Sequence, residues 1–222
     1  MYIFQHDRAL LQHALSRIIK EYGLSGRVLD VGAGSFLRYA SFFPAGTQYD
    51  SQDIAASDKI QHTFIGDAAH IPAQDATYDV VLSTQVLEHV PDPFAVLQEM
   101  KRLVKPGGYI LISCPQSNEA HEIPHDYHRF TQYALRTYGK NLELNVVHIE
   151  PVGDFWSMMH RYGTRFFIDA VRLHDHPWLG RGLSFVWRMS SPIISWMDRV
   201  LVSAEVKGKY VLGWICLYQK QK

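Results

Sequence analysis

The stretch Val28-Leu29-Asp30-Val31-Gly32-Ala33-Gly34 constrains this chain more than any other. Residues 28–31 read as a β-branched-rich strand buried on both faces. The two glycines let the backbone turn tightly and approach a ligand closely. A helix over residues 35–43 would then point its free N–H groups at that ligand. A dinucleotide fingerprint wants a third glycine at the sixth place, where Leu37 stands, so the flanking segments must decide.

Those segments alternate. Leu10, Leu11, Ala14, Leu15, Ile18 and Ile19 share one stripe of a helix over residues 7–22, ended by Gly23. Strands are expected at 47–53, 62–65, 78–84 and 108–114. A helix is expected at 92–104, with Asp92 as its cap and Pro93 at its first position. Such alternation gives an α/β fold with a doubly wound, mostly parallel sheet that binds ligands at the carboxyl ends of its strands. Nothing before residue 150 looks like a linker, so the 222 residues read as one domain with an elaboration.

Composition excludes several classes. Twenty-two basic and twenty-two acidic side chains cancel, which argues against a general nucleic-acid binder held by phosphate contacts. Cys114 and Cys216 lie in apolar strand-like runs, so a reducing compartment fits better than a disulfide framework. The N-terminus lacks the features of a signal peptide, and no apolar window reaches about 18 residues. A cytoplasmic location is expected, with peripheral attachment to a membrane left open.

Polar residues cluster where the strands end: Asp30 and Gly32 after the first, Asp53 after the second, Asp67 after the third, Ser83 and Thr84 after the fourth. Asp53 is placed to accept both hydroxyls of a ribose, which admits NAD as readily as another adenosine cofactor. Taken singly, Asp30 and Asp67 could merely cap turns.

Taken together, the segments resemble the ordered motifs of class I S-adenosylmethionine-dependent methyltransferases, nearest the type 11 group. The resemblance runs from the glycine turn through Gln52-Asp53-Ile54, Gly66-Asp67-Ala68 and Tyr78-Asp79-Val80-Val81. It continues with Val86-Leu87-Glu88-His89-Val90-Pro91-Asp92-Pro93 and Leu103-Val104-Lys105-Pro106-Gly107-Gly108. It implies a seven-stranded Rossmann-like sheet whose last two strands are antiparallel, and S-adenosylmethionine as cofactor. Asp30, Gly32, Ala33 and Gly34 would hold the methionine end. Asp53, with Ile54 in the same motif, would take the ribose, and Asp67 and Ala68 the adenine edge. Ser83 and Thr84 would lie beside the methionine portion. One departure is Phe36, where many relatives carry glycine. The implied activity is methyl transfer to a small-molecule or lipid-linked acceptor. A nicotinamide oxidoreductase and a cofactor-binding scaffold without activity are the rivals.

After Cys114, residues 121–125 formally match the zinc pattern His-Glu-x-x-His, but Pro124 breaks the helix that pattern needs, so no metal is expected. His125 and Tyr127 are the candidate contacts to the acceptor, with His125 as a general base. The competing reading is that Asp126 and Arg129 pin this loop structurally. Glu88 and His89 form a second candidate pair, or position the turn before Pro91.

A helix at 131–139, a sixth strand at 144–151 and a seventh at 209–218 complete the core. The expected division is an N-terminal helix 1–24, a cofactor core 25–152, a helical insertion 153–207 and a last strand 208–222. The insertion holds four of the five tryptophans. Arg161, Arg165 and Arg172 should form a basic helical stripe, and Pro192 a break. Arginine beside tryptophan suits a membrane interface, a lid over a lipid-like acceptor or a homodimer surface; otherwise residues 155–205 are an extra helical layer on the sheet.

Overall fold

The computed structural model describes residues 6–222; residues 1–5 of the expected N-terminal segment lie outside it. Helix α1 (His6–Glu21) leads into β1 (Arg27–Val31). Then come β2 (Gln48–Asp53), β3 (Phe64–Ile65), β4 (Tyr78–Thr84), α2 (Pro93–Leu103), β5 (Val104–Pro115), α3 (Gln132–Asn141), β6 (Leu144–Val152), α4 (Phe155–Ala170), α5 (Pro177–Val200) and β7 (Gly213–Lys220). The seven strands lie in the order β3-β2-β1-β4-β5-β7-β6. The first five pair in parallel, and β7 inserts antiparallel between β5 and β6. The order reverses between β1 and β4, which puts a crevice at the carboxyl ends of those two strands.

The central strands are buried on both faces because helices cover both. On one face Leu97, Met100 and Leu103 of α2 and Leu135 of α3 pack against Leu29, Val81, Ile110 and Ile112. On the other, Leu11, Leu15, Ile18 and Ile19 of α1 pack against Val28, Val80, Leu82 and Leu111. The caps follow the sequence. Asp92 accepts from the Phe94 and Ala95 amides, worth about 1 kcal/mol, and Thr131 accepts from Ala134.

Four expectations need correction. Residues 35–43 form no α-helix; only a 3-10 turn at Ala40–Phe42 appears, without a side-chain cap. That aromatic run has weak helix propensity, and Phe36 and Leu37 lie exposed, so no apolar face drives a longer helix. Pro192 does not break α5, which runs through it. The helix is held on both sides of the proline by Ser191, whose hydroxyl meets His6 Nδ1 at 2.6 Å, and by Asp198. Arg172 falls beyond the end of α4 with φ +48°, so the three arginines form no common stripe. The last strand begins later than expected, at Gly213.

The stretch between β6 and β7 is built by α4 and α5, tied to α1. Asp198 of α5 accepts from the backbone amides of Asp154 and Trp156 at 3.0 and 2.8 Å, placing a carboxylate at the positive end of α4. His6 meets Ser157 of α4 at 3.0 Å.

Candidate active site

The turn after β1 is shaped by its glycines. Gly32 has φ +73°, and a Cβ there would lie 2.3 Å from Val86 Cγ2, so only glycine fits. The amides of Gly32 and Ala33 donate to the Gln52 carbonyl at 2.9 and 3.0 Å, and Gly34 donates to Asp53 Oδ2 at 2.8 Å. All three turn amides are therefore spent inside the protein. The α-helix expected over residues 35–43 to supply further donors is absent.

Asp30 lies buried beneath the turn. Tyr49 donates its hydroxyl to Oδ2 at 2.8 Å, while Oδ1 has no partner among the described residues. Burial is the main cause that pushes its pKa up to about 7, against the Tyr49 hydrogen bond and with a small push from Asp53.

A cavity of about 570 Å³ opens beside this turn. Gly32, Ala33, Gly34, Thr84 and Gln85 make one wall; Asn118, Glu119, His121 and Glu122 of the loop after β5 make another, and Arg161 and Arg165 of α4 close a third. Arg161 pairs with Asp7 and, at 3.0 Å, with Glu119; Arg165 reaches Glu119 at 2.9 Å. Burial works against the Glu119 charge, but the two arginines hold its pKa below the usual carboxylate value. Arg8 and Arg38 also line the cavity, and neither makes an ion pair with a described carboxylate.

The remaining predicted residues fall in three places. Asp53 holds Gly34 with one oxygen, while Ile54 beside it is strongly exposed. Asp67 accepts from the Ala69 amide at 2.9 Å and lies 3.6 Å from His70; Ala68 is buried in the core. Ser83 is buried behind Thr84, its hydroxyl without a partner among the described residues. His125 and Tyr127 do not line the cavity. They bond each other at 3.0 Å on the surface. Asp126 and Arg129 pin this loop through bonds of 2.7 and 2.9 Å, and Arg129 holds the Asp126 carboxyl far below its ordinary pKa.

The histidines that face the cavity are His89 and His121, their rings edge to face with centroids 4.7 Å apart. Beside them Glu88 is fully buried, and neither of its carboxylate oxygens is hydrogen-bonded to another described residue. Desolvation pushes its pKa up to about 8.

Residues 4–173 match the model of a family described as a methyltransferase domain. The chain belongs to this methyltransferase family. The curated ubiquinone biosynthesis O-methyltransferase of Vibrio cholerae is 38% identical over 113 residues, which are 45% of this chain and 46% of that protein. The chain thus spans about half the length of the curated relatives it matches. Among solved structures, the Burkholderia thailandensis 1,6-didemethyltoxoflavin-N1-methyltransferase, with its substrate and S-adenosylhomocysteine bound, superposes with a TM-score of 0.60. It is 16% identical and covers 95% of this chain and 78% of its own. The [4+2]-cyclase SpnF superposes at 0.58 with 19% identity, covering 94% and 80%. These likenesses establish the fold, a class I methyltransferase sheet, whose family cofactor is S-adenosylmethionine.

Within this methyltransferase, the sequence put Arg161 and Arg165 on a basic helical stripe of the insertion, but it did not bring them, Arg8 or the His89–His121 pair to the glycine turn. Arg8, Arg161 and Arg165 come from helices far from the motifs, and no spacing links them to the turn. His121 was noticed for the wrong companion: its sequence neighbour His125 turns away, and the partner across the cavity mouth is His89.

Proposed function

We propose that this chain transfers the methyl group of S-adenosylmethionine to a small acceptor held between the glycine turn and α4. The observation that carries the reading is the cavity itself, which joins the turn at the switch of strand order to a polar far wall. When bound, S-adenosylmethionine supplies a methyl group already activated by its sulfonium, so the protein's task is chiefly alignment.

The residues suit that ligand. The partnerless Oδ1 of Asp30 offers a negative charge under the turn for the methionine ammonium. With the amides of Gly32, Ala33 and Gly34 spent, Arg8 and Arg38 on the cavity wall are placed to hold the methionine carboxylate. Asp53, steadied by Gly34, keeps its other oxygen for the ribose hydroxyls, and exposed Ile54 offers an apolar surface for the adenine. Thr84 flanks the methionine portion, with Ser83 behind it. Asp67 and Ala68 then mark the adenine edge. His89 and His121 face the acceptor space more directly than His125 or Tyr127. Photo-crosslinking with methyl-tritiated S-adenosylmethionine should label peptides spanning residues 32–39 or 84–89, with protection by S-adenosylhomocysteine. Label confined to peptides outside the cavity would contradict this placement.

A second observation bears on the acceptor. At about 100° per residue, Trp178, Phe185, Val186, Met189, Ile193, Trp196 and Val200 of α5 fall within an arc of about 100°, and all are exposed. Arg181, Arg188 and Arg199, exposed too, flank one side of that arc, while the helix's one acid, Asp198, is turned inward on α4. No described helix is long and apolar enough to cross a membrane. An apolar arc bordered on one side by cations suits an anionic lipid surface, and α4 carries the link from that surface to the cavity, as a lipid-like acceptor would require. The full chain should float with vesicles containing anionic lipid, and Phe185→Glu with Ile193→Glu should abolish flotation. A chain that fails to float and sediments as a dimer, becoming monomeric in that variant, would assign the arc to a homodimer contact instead.

A further inference from the structure

His89 and His121 line the cavity with Glu88 buried beside them, and the three come from two separate segments, the 3-10 turn at Leu87–His89 and the loop after β5. His89 Nδ1 lies 2.7 Å from the carbonyl of His125, and His121 Nδ1 lies 3.0 Å from the carbonyl of Glu119. A carbonyl only accepts, so both Nδ1 atoms carry the proton. Each neutral ring is then left with its lone pair on Nε2. This is the arrangement by which backbone carbonyls orient the histidines of metal sites.

The space facing those lone pairs is acidic. His89 Nε2 stands 3.8 Å from Glu88 Oε1 and 3.7 Å from Glu122 Oε2. Both separations exceed a hydrogen bond. Donor atoms from Glu88, His89 and His121 all lie within 4.8 Å of one another. A tetrahedral ion with bonds of about 2.1 Å sets its ligands about 3.4 Å apart, so modest side-chain rotations would close the set. Glu88 adds an independent sign: it is a fully buried carboxylate with neither oxygen hydrogen-bonded to another described residue, a group that a bound cation would satisfy.

We propose that Glu88, His89 and His121, joined by Glu122 from the rim, form a binding site for one divalent first-row transition ion of the zinc type. Two imidazoles with carboxylate favour such an ion over magnesium, which prefers oxygen ligands and keeps its waters. The site differs from the His-Glu-x-x-His reading of residues 121–125: His121 serves, His125 lends only its carbonyl, and the second imidazole comes from the other side of the cavity. His89, His121 and Glu122 all line the cavity, so a remaining coordination position faces the acceptor space. That consequence, holding an acceptor oxygen next to the transferred methyl, rests on the methyltransferase reading. The binding site itself does not.

The test is calorimetric titration of the chelator-treated full chain with zinc at pH 7.5, with cobalt(II) absorption as a probe of coordination. One equivalent should bind. His89→Ala, His121→Ala and Glu88→Gln should each weaken binding by roughly tenfold or more, and His125→Ala should not. Cobalt should show the intense visible bands of a low-coordinate site in the wild type and lose them in His89→Ala. Zinc should raise the unfolding temperature of the wild type and not of His121→Ala, with circular dichroism verifying that each variant is folded. Absent binding, or equal affinity in His89→Ala and His121→Ala, would overturn the proposal. Parallel titration with S-adenosylmethionine separates the two readings. A chain that binds zinc but not S-adenosylmethionine keeps the metal site and loses the methyltransferase assignment; the reverse result does the opposite.

Discussion

Asp30 illustrates how far a single residue could be read in advance. Taken alone its place after a buried strand fitted a turn cap, and only the family resemblance assigned it to the methionine end; in the structure it is buried beneath the turn, and its Oδ1 has no hydrogen bond among the described residues. What the sequence could not show is the cost of that burial. Asp30 and Glu88 both have pKa values raised by desolvation, to about 7 and about 8. Between about pH 4 and these values the folded protein holds protons that the unfolded chain has released, so stability should fall as pH rises through that window. The ligand-free, metal-free chain should unfold at a higher temperature at pH 5 than at pH 8, and Asp30→Asn should flatten the slope. Affinity for S-adenosylmethionine should move the other way, rising with pH through about 7 as Asp30 ionises opposite an ammonium. A flat profile for both, measured by thermal unfolding and calorimetry, would refute the role given to Asp30. Arg38→Ala should raise KM for the cofactor by roughly tenfold or more with the fold intact, because a charged hydrogen bond contributes about 1.5–3 kcal/mol.

At the scale of elements, regular periodicity was legible and irregular backbone was not. The apolar stripe of α1 and, for α2, the cap Asp92 with Pro93 at the first position announced their helices because local chemistry and packing agree there. Residues 35–43 misled because glycine turns of this kind often lead into a helix, whereas here Phe36 and Leu37 find no core to bury in. Pro192 misled in the opposite sense: tertiary contacts at Ser191 and Asp198 hold α5 together through a local breaker. Arg161 and Arg165 looked like a surface stripe, but Asp7 and Glu119, distant in sequence, draw them into the cavity wall. Asp198 is the element-scale test. It caps α4 from α5, so Asp198→Ala should cost about 2 kcal/mol and lower the unfolding temperature by about 4–8 °C, while Asp198→Asn costs less. No change in the melting curve would mean that α4 and α5 are not coupled through this carboxylate.

For the molecule as a whole, the doubly wound sheet was readable from alternation and from the six ordered motifs, because each strand end carries its own polar signature. The cavity's far wall was not, since it is assembled from α1, the loop after β5 and α4, segments whose meeting depends on the complete fold. The central claim concerns what the near wall holds. Calorimetric titration with S-adenosylmethionine and with NAD, on the wild type and on Asp53→Ala, tests it most directly. S-adenosylmethionine should bind the wild type and weaken by roughly tenfold or more in Asp53→Ala, as expected for losing a charged acceptor and the Gly34 bond together, with no heat from NAD. Saturable NAD binding with none for S-adenosylmethionine would contradict it.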